Sequence, residues 1–232
     1  MTDRQNPAAQ VAVLDMAGTT VADDGAVEDA FRTAVGRLGI EDPAELDRML
    51  GYVRETMGQS KITVFRSLLG DEDRAHAANA AFEDAYAARI AAGAVAPVPG
   101  AADAIAELRA AGVRVALATG FSRTTQDTLL AALGWAGAVD LTLCPADAGR
   151  GRPHPDLVLT AALRLAADDV RAVAAVGDTA GDMESGRRAG AGTVAGVLTG
   201  AHDAETLRAA GATQVLGSVR ELPALLLGGE RP

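Results

Sequence analysis

Residues 11–20 of this chain read VAVLDMAGTT. Four apolar residues followed by an aspartate predict a short buried β-strand that ends at Asp15. The AGTT that follows is typical of a turn. Open α/β sheets bind their ligands at the carboxyl ends of their strands, so this stretch indicates both a fold class and a candidate functional residue.

The second half of the chain alternates between strand and helix patterns. Apolar strand patterns occur at 113–119, 139–145 and 170–178, and a further strand is predicted within 191–200. Helical patterns separate these segments. Strands that alternate with helices predict an α/β fold in which helices cover both faces of a parallel sheet.

A long helical block interrupts this pattern after the first strand. Residues 26–96 contain no convincing strand pattern and predict about four helices, and the PVPG at 97–100 ends the block. We therefore predict two domains. Residues 1–21 and 99–232 form an α/β core domain, and residues 22–98 form a helical domain inserted into it.

The bulk composition narrows the possible partners. The chain has 232 residues, a formal net charge of −10 and a sequence pI of about 4.7. Because nucleic-acid surfaces need clustered basic residues, we expect no nucleic-acid partner. No window approaches the roughly 18 apolar residues of a membrane span, so we expect no membrane partner. One cysteine, Cys144, and a polar N-terminal stretch favour a soluble cytoplasmic protein.

Polar residues follow four of the predicted strands. They are Asp15, then Thr119 with Gly120, then Arg150 and Arg152, and finally Asp178 with Asp182. Because parallel strands end at one edge of the sheet, we expect these residues to share a crevice. Mg²⁺ prefers carboxylate oxygens, whereas hydroxyl, backbone N–H and guanidinium groups bind phosphoryl oxygens. The pattern predicts a Mg²⁺ site beside a phosphoryl-binding site.

Four segments in order, DMAGTT, ATGFSR, GRP and GDTAGDM, resemble the motifs of the haloacid dehalogenase superfamily. The resemblance spans essentially the whole chain and implies a Rossmann-like core with an inserted helical cap. It implies that Asp15 is a nucleophile that forms an aspartyl-phosphate. It also implies that Asp15, the Ala17 carbonyl and Asp178 hold Mg²⁺, with Asp182 in a supporting place.

The phosphoryl-binding residues follow from the same motifs. Thr119 and Gly120 are predicted to contact the substrate, together with the backbone N–H groups around Gly18 and Thr19. Arg152 is the predicted basic residue of the site, and Arg150 is the alternative. The three histidines are scattered and are not predicted to bind the metal; they are His76, His154 and His202.

The position two residues after Asp15 distinguishes branches of this superfamily. Typical phosphatase members carry there a second aspartate that protonates the leaving group, but this chain has Ala17. The first motif and the MGQSK at 57–61 instead resemble the phosphonatase (phosphonoacetaldehyde hydrolase) branch, as does Arg152. That resemblance implies that Lys61 forms a Schiff base with a substrate aldehyde and that Met57 lies at the substrate.

The chemistry of Lys61 agrees with this resemblance. Lys61 is the only lysine among 21 basic residues, so it is a candidate for amine chemistry that arginine cannot perform. Cleavage of a C–P bond leaves an electron pair on carbon, which an iminium absorbs as an enamine. Because only a neutral amine attacks a carbonyl, we expect the pKa of Lys61 to fall from about 10.4 towards about 7–8.

Two residues depart from the phosphonatase pattern. Val64 stands where that branch has a histidine, and Phe121 where it has an aromatic hydroxyl. The leading hypothesis is Mg²⁺-dependent C–P bond hydrolysis of phosphonoacetaldehyde or a related phosphonate. The alternatives are a phosphomonoesterase acting on a small phosphorylated metabolite and a non-catalytic binder of phosphoryl ligands. The resemblance also implies a homodimer that forms through the cap.

Overall fold

A six-stranded parallel sheet forms the centre of the computed structural model, which describes residues 9–228. The strands are β1 (Val11–Asp15), β2 (Arg114–Ala118), β3 (Leu141–Leu143), β4 (Val173–Gly177), β5 (Thr193–Val197) and β6 (Gln214–Leu216). Their order is β3-β2-β1-β4-β5-β6, so β1 lies between β2 and β4. The predicted α/β fold is confirmed. Residues 1–8 and 229–232, assigned to the core domain by the sequence, lie outside the described residues.

Hydrophobic side chains on both faces of the sheet explain why its strands read as continuous apolar runs. All five residues of β1 are buried. Ala12 and Leu14 enter one hydrophobic cluster, whereas Val11 and Val13 enter another. Because successive strand residues point to opposite faces, this alternation shows that both faces are covered.

Short helices connect the later strands. They are α5 (Ala101–Ala110), α6 (Arg123–Ala132), α7 (Pro145–Ala148), α8 (Asp156–Arg164), α9 (Ala180–Ala189), α10 (Ala204–Ala209) and α11 (Leu222–Leu226). Two short 3₁₀ helices cover Val170–Ala172 and Val219–Glu221. Helix α6 begins where the Ser122 side chain accepts a hydrogen bond from the Thr125 N–H, and α10 begins in the same way at Asp203.

Four helices lie between β1 and α5. They are α1 (Ala26–Arg37), α2 (Pro43–Glu55), α3 (Lys61–Leu69) and α4 (Glu72–Ala91), and we refer to residues 26–91 as the helical insert. The two segments that connect the insert to the core are hydrogen-bonded to each other. The Ala22 N–H donates to the Ala96 carbonyl at 2.9 Å. Helix α4 packs against α1, α3 and the core helix α6.

An aromatic cluster joins the insert to the core. It contains all four phenylalanines of the chain and one tyrosine, namely Phe31, Phe65, Phe82, Phe121 and Tyr86. Phe121 belongs to the loop after β2, and its ring centroid lies 4.7 Å from that of Tyr86 in α4. The insert therefore contacts the loop that follows the second strand of the core.

The sequence and the structure differ in several details. The predicted strand at 139–145 is shortened to β3, and the start of 170–178 is a 3₁₀ helix. Strand β6 is a sixth strand that the sequence analysis did not predict, and it consists of three partly buried residues. No helix in the described part of the chain has the length and apolar character needed to cross a bilayer.

Candidate active site

The carboxyl ends of β1, β2 and β4 face a cavity of about 540 Å³. The core contributes Asp15, Thr119 and Asp178 to its wall. The helical insert contributes Met57 and Lys61, so the cavity lies between the sheet edge and the insert. Of the residues expected to share a crevice, Asp15, Thr119, Gly120 and Asp178 line this cavity. Arg150, Arg152 and Asp182 do not line it.

Arg152 joins the ends of two strands to the insert. Its Nη2 lies 2.7 Å from Asp15 Oδ1 and 3.2 Å from the Ala118 carbonyl oxygen, at the ends of β1 and β2. Its Nη1 donates to the Gly58 carbonyl at 3.3 Å, in the loop before α3. Burial alone would lower the pKa of this guanidinium, but Asp15 and Asp182 together raise it. Arg152 therefore stays charged beside the predicted nucleophile.

Arg150, the alternative basic residue, lies elsewhere. Its guanidinium is exposed and forms a two-point ion pair with Asp156, with Nη2 2.8 Å from Asp156 Oδ1. Neither Arg150 nor Arg152 is part of the cavity wall. Of the two arginines, Arg152 is the one that contacts Asp15.

Asp182 is occupied by contacts within the protein. Its Oδ2 accepts a hydrogen bond from the Thr179 N–H at 3.1 Å and completes a capping box at the start of α9. Its Oδ1 is in contact with Arg152 Nε. Because both oxygens are engaged, Asp182 is suited to hold Arg152 against Asp15.

Asp178 follows β4 and is held by two donors. The Thr19 hydroxyl donates to Asp178 Oδ1 at 3.0 Å, and the Ala201 N–H donates to Oδ2 at 2.8 Å. Gly18 approaches this carboxylate so closely, with φ at +83°, that a side chain there would collide with it. The glycine of the first motif therefore makes room for Asp178.

Thr19 and the backbone N–H groups around it make contacts within the protein instead of facing a substrate as predicted. The Gly18 N–H donates to the Val21 carbonyl at 2.7 Å, and the Thr19 N–H to the Met16 carbonyl at 3.1 Å. Thr19 is fully buried and does not line the cavity. These N–H groups close the turn after β1, so they are not free to bind phosphoryl oxygens, although Gly18 still forms part of the cavity wall.

The carboxylate cluster is suited to a divalent cation. Asp15, Asp178 and Asp182 are buried, and each offers an oxygen within 4.8 Å of the others. The Ala17 carbonyl accepts no hydrogen bond from residues 9–228, and Ala17 lines the cavity. Buried carboxylates without enough counter-charge favour a cation, and an all-oxygen donor set fits Mg²⁺. Asp15, Asp178 and the Ala17 carbonyl are thus the groups that could hold the metal.

The pKa values of the carboxylates reflect the same crowding. Burial raises the pKa of Asp15 well above its usual range, and Arg152 opposes that rise. Burial raises the pKa of Asp178 to about 6, and the neighbouring Asp182 adds to the rise. A divalent cation among these oxygens would lower both pKa values.

Thr119 and Gly120 lie at the end of β2, on the cavity wall. The Phe121 N–H donates to Thr119 Oγ1 at 3.2 Å, so the hydroxyl hydrogen of Thr119 is left to donate to a ligand. A Cβ atom at Gly120 would lie 2.6 Å from the Gly58 carbonyl oxygen. Gly120 thus contributes close packing between the sheet edge and the insert.

The segment that precedes α3 carries the MGQSK motif across the strand ends. Gly58 adopts φ +84°, and a Cβ atom there would lie 2.8 Å from Thr179 Oγ1. A residue with a side chain would push this loop away from the core. Met57 and Gly58 line the cavity, and the chain then enters α3 at Lys61.

Lys61 is a titratable group of the cavity whose surroundings disfavour its charged form. Its side chain is buried, and within residues 9–228 no carboxylate lies within ion-pair distance, 4.0 Å, of its Nζ. Burial lowers the pKa of Lys61 to about 8, although Asp23 and Asp15 oppose the fall. Nζ lies 5.6 Å from the centroid of the Phe121 ring. Lys61 therefore has the shifted pKa that the sequence analysis expects of an amine nucleophile.

Val64 and Phe121, which depart from the phosphonatase pattern, lie in different surroundings. Val64 is buried in the hydrophobic core and does not line the cavity. Phe121 lines the cavity beside Lys61 and packs on Tyr86. An apolar wall at this point contributes to the burial that lowers the pKa of Lys61.

Asp23 and His202 are among the cavity residues that the sequence analysis did not assign to the site. Asp23 lies just before α1, and burial raises the pKa of its carboxyl. His202 lies after β5, and its Nδ1 accepts a hydrogen bond from the Ala180 N–H at 2.8 Å. The acidic pair Asp23–Asp24 directly after the first motif was a usable sequence pattern, whereas nothing near His202 indicated its place.

Comparison with known proteins gives the family. Residues 9–190 match the model of the haloacid dehalogenase-like hydrolases. Because the match covers more than half of the chain, the chain belongs to the haloacid dehalogenase-like hydrolase family. The resemblance drawn from the four sequence motifs is confirmed.

Three relatives illustrate the range of similar proteins. The chain is 32% identical over 165 residues to a phosphonoacetaldehyde hydrolase-like protein of Syntrophobacter fumaroxidans, covering 58% of this chain and 60% of the relative. It is 31% identical over 202 residues to "Probable phosphatase IndB" of Dickeya dadantii, covering 85% of each. The crystal structure of a phosphonoacetaldehyde hydrolase-like protein of Oleispira antarctica has a TM-score of 0.77 and 26% identity, covering 97% and 96% of the two chains.

The extent of these matches differs between relatives. Several curated relatives named phosphonoacetaldehyde hydrolase are matched over only 50 to 60% of their length. The match to the Dickeya protein and the structural match both extend over most of the two chains compared. The fold is thus shared along nearly the whole chain.

Proposed function

We propose that this chain is a Mg²⁺-dependent hydrolase that cleaves the C–P bond of phosphonoacetaldehyde or a related phosphonate aldehyde. One observation carries the proposal: Lys61, with a pKa of about 8, lines the same cavity as Asp15. At neutral pH about a tenth of such an amine is uncharged, which is enough for attack on a carbonyl. The relatives named phosphonoacetaldehyde hydrolase support this choice of substrate.

In the proposed reaction, two residues activate opposite ends of the substrate. The Lys61 amine condenses with the aldehyde, and one water leaves as the imine forms. An Asp15 oxygen then attacks phosphorus while the C–P electron pair moves to carbon, which gives an enamine on Lys61 and a phosphoryl group on Asp15. Protonation at carbon and hydrolysis of the imine release acetaldehyde, and water releases phosphate from Asp15. The sum is one water consumed.

The other residues of the site would hold the phosphonate end. Arg152 contacts Asp15 and is kept in place by Asp182, so it can offset the charge that gathers on the phosphoryl oxygens. The Thr119 hydroxyl can donate to one of those oxygens. Mg²⁺ bound by Asp15, Asp178 and the Ala17 carbonyl would supply further positive charge beside the phosphoryl group.

A phosphomonoesterase acting on a small phosphorylated metabolite is the second candidate. The match to a protein named as a phosphatase, over 85% of both chains, favours it. Ala17 counts against it, because an alkoxide leaving group normally takes a proton from an acid at that position. The apolar surroundings of Lys61 also have no evident use in such a reaction.

The two candidates predict different products and different variants. With phosphonoacetaldehyde and Mg²⁺, we expect equimolar phosphate and acetaldehyde from the wild type and at least a 10³-fold slower release from Lys61→Arg. An arginine-to-methionine change at the exposed Arg32 is the control and should leave release unchanged. Release of phosphate from ordinary monoesters that is unaffected by Lys61→Arg would overturn the proposal and favour the phosphomonoesterase.

A further inference from the structure

The loop that follows β5 forms part of the cavity wall, although none of the four sequence motifs includes it. Residues 199–202, which read TGAH, all line the cavity, and we refer to them as the β5 loop. Directly before the loop, the Leu198 N–H donates to the Leu216 carbonyl of β6 at 3.1 Å. The loop therefore starts from a hydrogen-bonded position beside β6 and continues along the cavity.

Backbone groups of the β5 loop hold Asp178, one of the proposed metal ligands. The Ala201 N–H donates to Asp178 Oδ2 at 2.8 Å, and the His202 N–H donates to the Asp178 carbonyl at 3.2 Å. A Cβ atom at Gly200 would overlap Asp178 Oδ2, although the backbone of Gly200 has no positive φ. Glycine is therefore needed at position 200 for space, because the loop passes directly against the carboxylate.

The side chain of Thr199 joins the same loop to the turn after β1. Thr199 Oγ1 donates to the Gly18 carbonyl at 2.7 Å. At the other end of this glycine, the Gly18 N–H donates to the Val21 carbonyl at 2.7 Å. That N–H belongs to the same planar peptide group as the Ala17 carbonyl, so the two hydrogen bonds together set the direction of the Ala17 oxygen.

These contacts matter for a cation because its proposed ligands come from different strands. The Ala17 carbonyl follows β1 and Asp178 follows β4, and the β5 loop is hydrogen-bonded to both segments. Mg²⁺ demands a nearly octahedral arrangement of oxygens, so a small displacement of one ligand relative to the other weakens binding. Groups that orient metal ligands typically contribute about 10- to 100-fold to metal affinity.

We propose, resting on the Mg²⁺ site of the proposed function, that the β5 loop positions two of the metal ligands. Thr199 is a positioning residue: its hydroxyl holds the Gly18 carbonyl, and thereby keeps the Ala17 oxygen in place relative to Asp178. The Ala201 N–H holds the Asp178 carboxylate from the same loop. Asp15, the third proposed ligand, is held separately by Arg152.

A purely structural role for Thr199 makes a different prediction. Thr199 is exposed, so the loss of its hydrogen bond should change the stability of the metal-free protein little. If the bond only fastened the loop, Thr199→Val would lower the urea midpoint in EDTA and leave Mg²⁺ affinity unchanged. If Thr199 positions the Ala17 oxygen, the same substitution weakens Mg²⁺ binding and leaves the urea midpoint in EDTA unchanged.

The experiment measures the Mg²⁺ affinity of the full chain by isothermal titration calorimetry, after metal has been removed with EDTA and the EDTA dialysed away. We expect Thr199→Val to weaken binding by about 10-fold, and Thr199→Ser, which keeps the hydroxyl, to bind as the wild type does. Thr206→Val is the matched control. Thr206 also lines the cavity, but its N–H donates to Asp203, so this variant should keep the wild-type affinity.

A second pair of variants tests the contact with Asp178. Gly200→Ala forces the loop away from Asp178 Oδ2, and we expect it to weaken Mg²⁺ binding by about 100-fold. Gly36→Ala is the control, because a Cβ atom at this position of α1 meets no atom within 4 Å. It should keep the wild-type affinity.

The possible failures are distinguishable. Wild-type affinity in Thr199→Val or in Gly200→Ala would overturn the positioning role and leave the metal site intact. A loss in Thr199→Val that Thr199→Ser does not restore, or that comes with a lower urea midpoint in EDTA, would also overturn it. Absence of Mg²⁺ binding in the wild type would instead overturn the metal site of the proposed function, on which the role depends.

Discussion

Two groups of charged residues at the carboxyl edge of the sheet differ in how their charges are paired. In the strand-end cluster, formed by Asp15, Arg152, Asp178 and Asp182, each carboxylate is held by a cation or by hydrogen-bond donors. In the lysine corner, formed by Lys61 with Phe121 and Asp23, the buried ammonium has no carboxylate within 4.0 Å among the residues that the structure describes, and it lies 5.6 Å from the centroid of the Phe121 ring.

The difference corresponds to two kinds of chemistry. In the proposed reaction, the nucleophilic carboxylate has to be held in a fixed position, which its contact with Arg152 provides. Burial still raises the pKa of Asp15, and Arg152 opposes that rise. An amine that attacks a carbonyl needs its charge to be unfavourable, which burial provides. Under the proposed function, the strand-end cluster receives the phosphoryl group and the lysine corner forms the imine.

The largest expected effect concerns Asp15, the proposed nucleophile of the strand-end cluster. Asp15→Asn should lower phosphate release from phosphonoacetaldehyde by about 10⁴-fold or more, because an amide does not attack phosphorus. The same variant should still form an adduct on Lys61 with acetaldehyde and cyanoborohydride, since the lysine corner is intact. Loss of both reactions together would show that the two regions do not act separately.

The next effect concerns pairing within the strand-end cluster. Arg152→Met leaves buried Asp15 and Asp182 without their cation, and we expect it to lower the free energy of unfolding by about 3–5 kcal/mol. Urea denaturation measures the change. The control is Arg150→Met, which breaks the exposed pair with Asp156 and should alter stability little. Similar losses in both variants would contradict the account of a buried, paired cluster.

In the lysine corner, replacing the cation by methionine should raise the free energy of unfolding instead of lowering it. On folding, the pKa of Lys61 falls from 10.5 to about 8. Below pH 8 the lysine is charged in both the folded and the unfolded chain, so the full cost of burying the charge lowers the stability of the folded protein. Lys61→Met should therefore be more stable than wild type at pH 7, by about 3 kcal/mol. Wild-type stability should rise between pH 8 and 10.5 as the folded protein releases this proton first, and the gap should close.

A control separates this effect from general loss of positive charge. Arg32 is exposed in α1, and Arg32→Met should show no gap that closes in that pH window. Denaturant unfolding at several pH values gives the comparison. A Lys61→Met variant that is less stable than wild type at pH 7 would mean that the ammonium is better solvated than the structure indicates.

The smallest effect concerns the cation. Mg²⁺ at ten times its dissociation constant should raise the free energy of unfolding by about 1.4 kcal/mol. Because the pKa of Asp178 is about 6 without a cation, the gain should be lost as the pH falls through 6. Asp178→Asn should abolish the gain, and Lys61→Met should keep it. Thermal unfolding with Mg²⁺ or with EDTA measures it.

Much of the fold could be predicted from the sequence, whereas the roles of the site residues stay predictions. The strand β1, the helical block and the strand ends followed from apolar runs and their polar successors. Strand β6 was not predicted because its three partly buried residues form no apolar run. The division at residues 21/22 and 98/99 into two domains, the homodimer and the cytoplasmic location stay predictions.

The sequence does not indicate which partners the site residues have in the folded chain. Thr19 carries a hydroxyl beside the first motif, yet it donates to Asp178, which is 159 residues away. An acidic residue before a helix is ordinarily a helix-start residue, and only the fold brings Asp23 to the wall of the cavity that Lys61 lines. Sequence patterns give residue types at strand ends, whereas pairing between them needs the three-dimensional structure.

The most direct test of the central claim, that Lys61 forms an imine with the substrate, is a single trapping measurement. The wild-type protein is incubated with phosphonoacetaldehyde and Mg²⁺, reduced with borohydride, digested and analysed by mass spectrometry. The account predicts one reduced adduct on the peptide that contains Lys61, with loss of phosphate release as the adduct accumulates. Continued phosphate release with an unmodified Lys61 peptide would contradict it.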